Sequence, residues 1–481
     1  MAKKATKNKT AKKAATRAAA KSGARKGTVA KPVRKAATGK SAKPPRPRGP
    51  AWQWSAVETA AAIRSGAISA VETVEAHLER MRAVNPKLNA VVVDLSEEAL
   101  KAAHAADKQR AKGGALGLLH GVPITIKENV DYEGRPNFNG VPANKGLVAP
   151  SDAPVVRNLK QAGAIVIGLT NTPEFSFRGF TDNPLHGLTL NPWDPDITCG
   201  GSSGGAGSAV AAGIGTIAHG NDIGGSLRWP AHCNGVATIK PTQGRIPAFN
   251  ASATAERPML AHLMSAQGPL ARHVADVRLA LEVMSQRDPR DPWWVPAPLV
   301  GEKPKGPIKV ALAKIPADMD VDPSVSAALR QAADLVEILG GDLQHGSFLH
   351  HHGLVGDDVA PGLPDAVDVG HLDLADTVAG PFEDYPIVLA PTTVKPTPGP
   401  REDTVSAERV REIFWGEIRF ISAINVLGLP GAVVPVALHD GKPIGVQLIA
   451  GRYREDLALD AAAAIEKRAG VLTRQLWEKM G

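Results

Sequence analysis

The sequence is poor in cysteine, in aromatic side chains and, over its first fifty residues, in acids. Its 481 residues include two cysteines, Cys199 and Cys233. Two thiols cannot build a multi-disulfide framework and fall short of a structural zinc site. A reducing, cytoplasmic compartment is the simplest expectation. No run of about 18 apolar residues occurs, so no membrane span is expected. The N-terminus is positively charged but has no apolar stretch behind it, so it does not read as a secretory signal peptide. Phe, Trp and Tyr make up only 4% of the chain, whereas Gly (48) and Pro (39) are plentiful. That balance suits a fold with many loops.

Residues 1–50 hold 17 Lys/Arg and no Asp or Glu, although the whole chain has 56 basic against 48 acidic residues and a formal charge of +8. Residues 51–481 are therefore mildly acidic, with 39 basic and 48 acidic residues. This split argues against a uniformly basic nucleic-acid binder. The first segment, 1–50, is rich in Lys, Ala, Thr and Arg and cannot bury enough apolar surface to offset its chain entropy, so it reads as a disordered basic tail. Such a tail either contacts polyanions or is simply solvated. The remainder, 51–481, is long enough for one large domain or two or three ordinary ones.

Local patterns alternate between helix and strand, which argues for an α/β class. Ser69-Ala70-Val71-Glu72 is a capping box, and Val71, Val74, Leu78 and Met81 follow at helical spacing. Residues 88–93 read as a strand, 96–112 as a polar helix closed by Gly113-Gly114, and 123–126 as a short strand ending at Lys127. Residues 153–162 read as a helix and 164–169 as a buried strand. Two late strands, 431–438 and 444–449, flank the turn His439-Asp440-Gly441-Lys442. Residues 341–399 show no readable period.

The chemistry concentrates in a Gly/Ser-rich stretch over 196–246. It contains Gly200-Gly201-Ser202-Ser203-Gly204-Gly205 and Asn221-Asp222-Ile223-Gly224-Gly225-Ser226-Leu227-Arg228. Three readings compete. Gly200-x-Ser202-x-Gly204 matches a nucleophile elbow, but 196–199 is a poor strand to precede one. Gly213-x-Gly215-x-x-Ala218 matches a loose dinucleotide fingerprint, yet a helix-like stretch precedes it where a strand is required. The third reading joins both serines to Lys127. A serine hydroxyl needs a base, and a lysine kept neutral by burial can serve. The consecutive N–H groups of a glycine-rich turn can converge on one oxygen as an oxyanion hole.

Lys127, Gly201–Gly205 and Asp222–Ser226 together resemble the amidase signature family. Ser202 and Ser226 stand 24 positions apart, and Lys127 lies 75 positions before Ser202. Further matching stretches are 162–175, Asn191-Pro192-Trp193, Lys240-Pro241-Thr242 with Gly244-Arg245, Gly268–Arg272, Asn425–Pro430 and Pro443–Ile449.

The resemblance implies a single large α/β/α domain with a mixed central sheet and an amidohydrolase that releases ammonia or an amine. It implies Ser226 as the acylated nucleophile, Ser202 in a cis peptide bond as bridge, and Lys127 as the base. Backbone N–H groups of Ile223, Gly224, Gly225 and Ser226 would hold the oxyanion. Ser203, Asp222 and Arg228 would brace the loops, with Arg228 pairing Asp222. No metal or organic cofactor is implied, and a homodimer is compatible with it. The alternative within the family is the glutaminase subunit of a tRNA-dependent amidotransferase.

Three positions depart from the family pattern: Glu128, Asn221 and Thr238. None is expected to touch the three catalytic residues. Residues 131–150, 175–188 and parts of 300–400 are expected to shape the substrate pocket. His219 and His232 read as packing residues near the glycine loops, and His350-His351-His352 as a polar loop.

Overall fold

The computed structural model describes residues 45–304, 308–313, 315, 319–337, 382 and 385–480. Residues 1–44 of the expected basic tail, most of 341–399 and the three consecutive histidines lie outside the described residues. Ten strands form one mixed sheet: β1 (Val91–Asp94), β2 (Pro123–Lys127), β3 (Ile165–Thr170), β4 (Ile217–Asp222), β5 (Ala237–Lys240), β6 (Ala266–Ala271), β7 (Val310–Leu312), β8 (Ile387–Pro391), β9 (Gly431–His439) and β10 (Lys442–Ala450). Their order is β1-β3-β2-β4-β6-β5-β9-β10-β8-β7. β2 runs parallel to both β3 and β4, and β7 parallel to β8; the other pairings are antiparallel.

Helices cover both faces of the sheet. Side chains alternate across a strand, and here successive residues join different cores. Val166 and Leu169 of β3 belong to the core that also takes in residues of the helices Pro154–Gln161, Val274–Met284, Pro323–Glu337 and Glu455–Ala469. Ile165 and Ile167 pack instead with the helix Ala70–Leu88. β2 and β4 are buried at every position. Strands buried on both faces read as continuous rather than alternating apolar runs.

The helix Ala70–Leu88 starts on the expected capping box, with Ser69 accepting from the Glu72 N–H and the Glu72 side chain reaching back. It runs further than its first turns suggest, so β1 begins at Val91 rather than at residue 88. The Asn85 amide oxygen accepts from the N–H groups of Ala90 and Val91, and Asn89 turns the chain through a left-handed conformation, φ 52°. The Gly200-x-Ser202-x-Gly204 motif lacks a preceding strand: residues 196–199 are irregular, with an isolated bridge from Leu190 to Thr198. β8 is a strand the period analysis missed. No helix of the described residues is long and apolar enough to cross a membrane.

Candidate active site

Two parallel strands place the candidate residues at one edge of the sheet. Ile124 and Thr125 of β2 face Ile217 and Ala218 of β4. Lys127 therefore ends β2 close to where Asn221 and Asp222 end β4. Clefts of this kind lie outside the carboxyl ends of parallel strands. Ser202 and Ser203 precede the helix Gly204–Ala211, and Ser226 lies just before the helix Arg228–Asn234. The Gly201–Ser202 peptide bond is cis. Gly201 has no room for a side chain, because a Cβ there would stand 2.6 Å from the Gly179 carbonyl carbon. Gly225 adopts φ 117°, and a Cβ there would run into Ile421.

Lys127 is wholly buried. Its Nζ lies 2.7 Å from Ser202 Oγ, 3.1 Å from Ser203 Oγ and 2.8 Å from Asn221 Oδ1. Burial pushes the amine well below the usual lysine range, against the opposing pull of Asp222 and Glu128. These contacts order the protons. Asn221 Oδ1 can only accept, and its amide is oriented by reciprocal bonds with Asn129 at 2.8 and 3.1 Å. Ser203 Oγ donates its own proton to the Asn221 carbonyl at 3.2 Å, so it accepts from Nζ. A neutral amine has two N–H donors and one lone pair. With both donors engaged, the lone pair faces the Ser202 hydroxyl.

Ser226 is half-buried and opens onto the cleft. Its carbonyl accepts from the Ser203 N–H at 3.2 Å, which ties the two serine loops together. Its hydroxyl makes no hydrogen bond to Ser202, so the three catalytic candidates are brought to one place but the last link is open. Catalytic hydrogen bonds are often long before substrate binds.

Asp222 braces the nucleophile loop. Its carboxylate accepts from the N–H groups of Gly225 at 2.8 Å and Leu227 at 3.1 Å. Arg228, also wholly buried, donates to both its oxygens at 2.9 and 3.0 Å. Burial works to raise the Asp222 carboxyl, but the Arg228 guanidinium and the Asn425 amide hold it well below the usual carboxylate range. Arg228 donates further to Gln447 at 2.7 Å and Asn425 at 2.5 Å. The expected pairing of Arg228 with Asp222 is present. The four-donor oxyanion hole needs correction, because the Gly225 N–H is already given to Asp222. The N–H groups of Ile223, Gly224 and Ser226 have no acceptor among the described residues.

A second correction concerns Asn221, which touches Lys127 directly. No local pattern in the sequence could show that β4 ends beside β2. Glu128 does stay outside the triad, accepting from the Gly140 N–H at 2.9 Å and meeting His186 Nε2 at 3.0 Å. His219 bonds Gln267 at 2.8 Å, and His232 stacks on Trp229; neither lines the cleft.

The cleft measures about 760 Å³. Its walls include Phe177, Trp229, Phe414, Trp415, Ile418 and Met264. Residues 131–150, expected to shape it, do not line it. The segment 403–422, missed in the sequence, does. Phe414 and Trp415 sit on a single π-helical turn, Glu412–Glu417, a feature that often marks functional sites. Its short irregular pieces carry no long period to read. Phe180, within the segment 175–188 expected to shape the pocket, is buried in the core instead.

A family model, Amidase, matches residues 72–360. The chain is 77% identical over 474 residues to the indoleacetamide hydrolase of Bradyrhizobium diazoefficiens, covering 90% of each. It is 33% identical to the acylamidase of Rhodococcus erythropolis, covering 86% of this chain and 94% of that one. The solved structure of 6-aminohexanoate cyclic dimer hydrolase complexed with substrate matches with a TM-score of 0.72 and 30% identity, covering 89% of this chain and 99% of that one.

Proposed function

The chain belongs to the amidase signature family and hydrolyses a carboxylic amide C–N bond, and from that premise we propose that its substrate is a neutral arylacetamide of the indoleacetamide type. The observation that carries this is the 77% identity to indoleacetamide hydrolase across nine-tenths of both chains. The aromatic lining of the cleft agrees with it, since flat rings pack well on aromatic walls.

In the proposed mechanism Ser226 is the nucleophile. Substrate closes the open link between Ser226 and Ser202. As Ser226 Oγ attacks the amide carbon, its proton passes to Ser202, and the Ser202 proton passes to the neutral Lys127 Nζ. The N–H groups of Ile223, Gly224 and Ser226 hold the oxygen that gains negative charge. The relay then runs backwards: the C–N bond breaks, the nitrogen takes the proton, and ammonia leaves an acyl-Ser226 ester. Water attacks that ester with the same base and releases the carboxylic acid.

The test is ammonia release from indoleacetamide, phenylacetamide, butyramide and glutamine by the isolated chain. Indoleacetamide is expected to give the highest kcat/KM. Preference for glutamine would support the amidotransferase-subunit alternative and overturn this assignment.

A cytoplasmic location is part of the proposal, supported by two buried free thiols, Cys199 and Cys233. Contact of the basic tail with polyanions, and a homodimer, belong to the proposal as well, and the chemistry requires neither.

A further inference from the structure

Among the described residues, two charged side chains line the cleft, Arg178 and Asp403. They are aimed at each other. Arg178 Nε and Nη2 donate to the two Asp403 oxygens at 2.7 and 2.8 Å, a bidentate pair. Arg178 Nη1 donates to the Asp182 carbonyl at 3.2 Å. Asp403 is nearly buried, with its side chain 3% exposed. The guanidinium thus has its acceptors supplied by the protein, and the wall stays neutral where a lone arginine would capture a carboxylate.

We propose that Asp403 is a specificity-determining residue that masks Arg178 and so restricts the cleft to uncharged amides. The inference rests on the reading of a neutral arylacetamide substrate and supplies its physical cause. A substrate that carries a carboxylate can reach Arg178 only by displacing Asp403, and it gains little because one charged pair replaces another. A second ion pair, Arg401 with Asp182 at 2.6 Å, joins the same two loops without lining the cleft. It serves as an internal control for loop attachment.

The experiment compares kcat/KM for matched amides, butyramide against succinamate and hexanamide against adipamate, in the full chain. Asp403→Asn should raise the anionic-to-neutral ratio at least about tenfold, the effect of one exposed charge-assisted hydrogen bond, mainly through KM. Arg178→Met should do the reverse and favour an ammonium-bearing amide such as 6-aminohexanamide. The double variant should return the ratio to the wild-type value, and Arg401→Gln should leave it unchanged. The proposal is overturned if Asp403→Asn alters both members of a pair by the same factor, if Arg401→Gln produces the same switch, or if both pocket variants lose all activity. Because the ratio is read on aliphatic amides, failure of indoleacetamide as substrate is a separate result.

Discussion

Behind the lining of the cleft, in the layer that forms its floor, Lys127, Asp222 and Arg228 are fully buried, and each meets three or more polar partners. At its mouth, Phe177 and Trp415 are 90% and 77% exposed. The floor fixes proton positions through the hydrogen bonds around Lys127 and Asp222, and a buried group without a partner there would be costly. The mouth offers apolar surface with few directional contacts. In the proposed mechanism the floor sets the reaction, and the mouth sets which amide enters.

The largest expected effect breaks the floor. Ser226→Ala and Lys127→Ala should each lower kcat by about a thousandfold or more, measured as ammonia release from indoleacetamide. The folded state should persist in both, as read by circular dichroism. Near-normal turnover by Lys127→Ala at pH 7 would remove lysine as the base.

Asn221→Asp sharpens the same side. A carboxylate beside Nζ favours the ammonium form and raises the lowered Lys127 pKa, by about one to three units for a close opposite charge. The base must be unprotonated, so activity falls as pH drops through that pKa. The acid limb of the kcat/KM profile should therefore move to higher pH, with activity recovered in alkaline buffer. An unmoved limb would separate Asn221 from the base.

Changes at the mouth should be smaller and selective. Trp415→Ala and Phe177→Ala are expected to raise KM for indoleacetamide by about five- to tenfold, with kcat and butyramide turnover little changed. A loss in kcat equal for both substrates would place these rings in the floor's function instead.

The two regions also differ in how far the sequence discloses them. Lys127, Ser202, Ser203, Asp222, Ser226 and Arg228 could be proposed from the sequence because their types and spacing, set among glycines, resemble the amidase signature pattern. The α/β class and most of β2, β3, β9 and β10 are legible from short apolar runs. Asn221 as a partner of Lys127 is not, because that contact arises from the pairing of β2 with β4, 94 residues apart. The Asp222 bond to Gly225, which removes one expected oxyanion donor, likewise depends on loop geometry. The wall from 403 to 422 consists of short helical pieces held by ion pairs, among them Arg178 with Asp403 and Arg409 with Glu417. A pair 225 positions apart, as Arg178 and Asp403 are, leaves no periodic trace.

The smallest effect concerns the basic tail. Among the described residues of the tail, Arg46 donates to the Ala67 carbonyl at 2.8 Å and pairs with Glu72. Deletion of residues 1–44, rather than 1–50, should leave indoleacetamide turnover within about twofold, the scale of surface changes away from a site. A larger loss would join the tail to the cleft.

The central claim is an acyl-enzyme on Ser226, and intact-mass spectrometry after treatment with a fluorophosphonate tests it most directly. The account predicts one adduct per chain, mapped to Ser226, absent in Ser226→Ala and strongly slowed in Lys127→Ala. A folded wild-type enzyme that takes no label, or one labelled on Ser202, would contradict it.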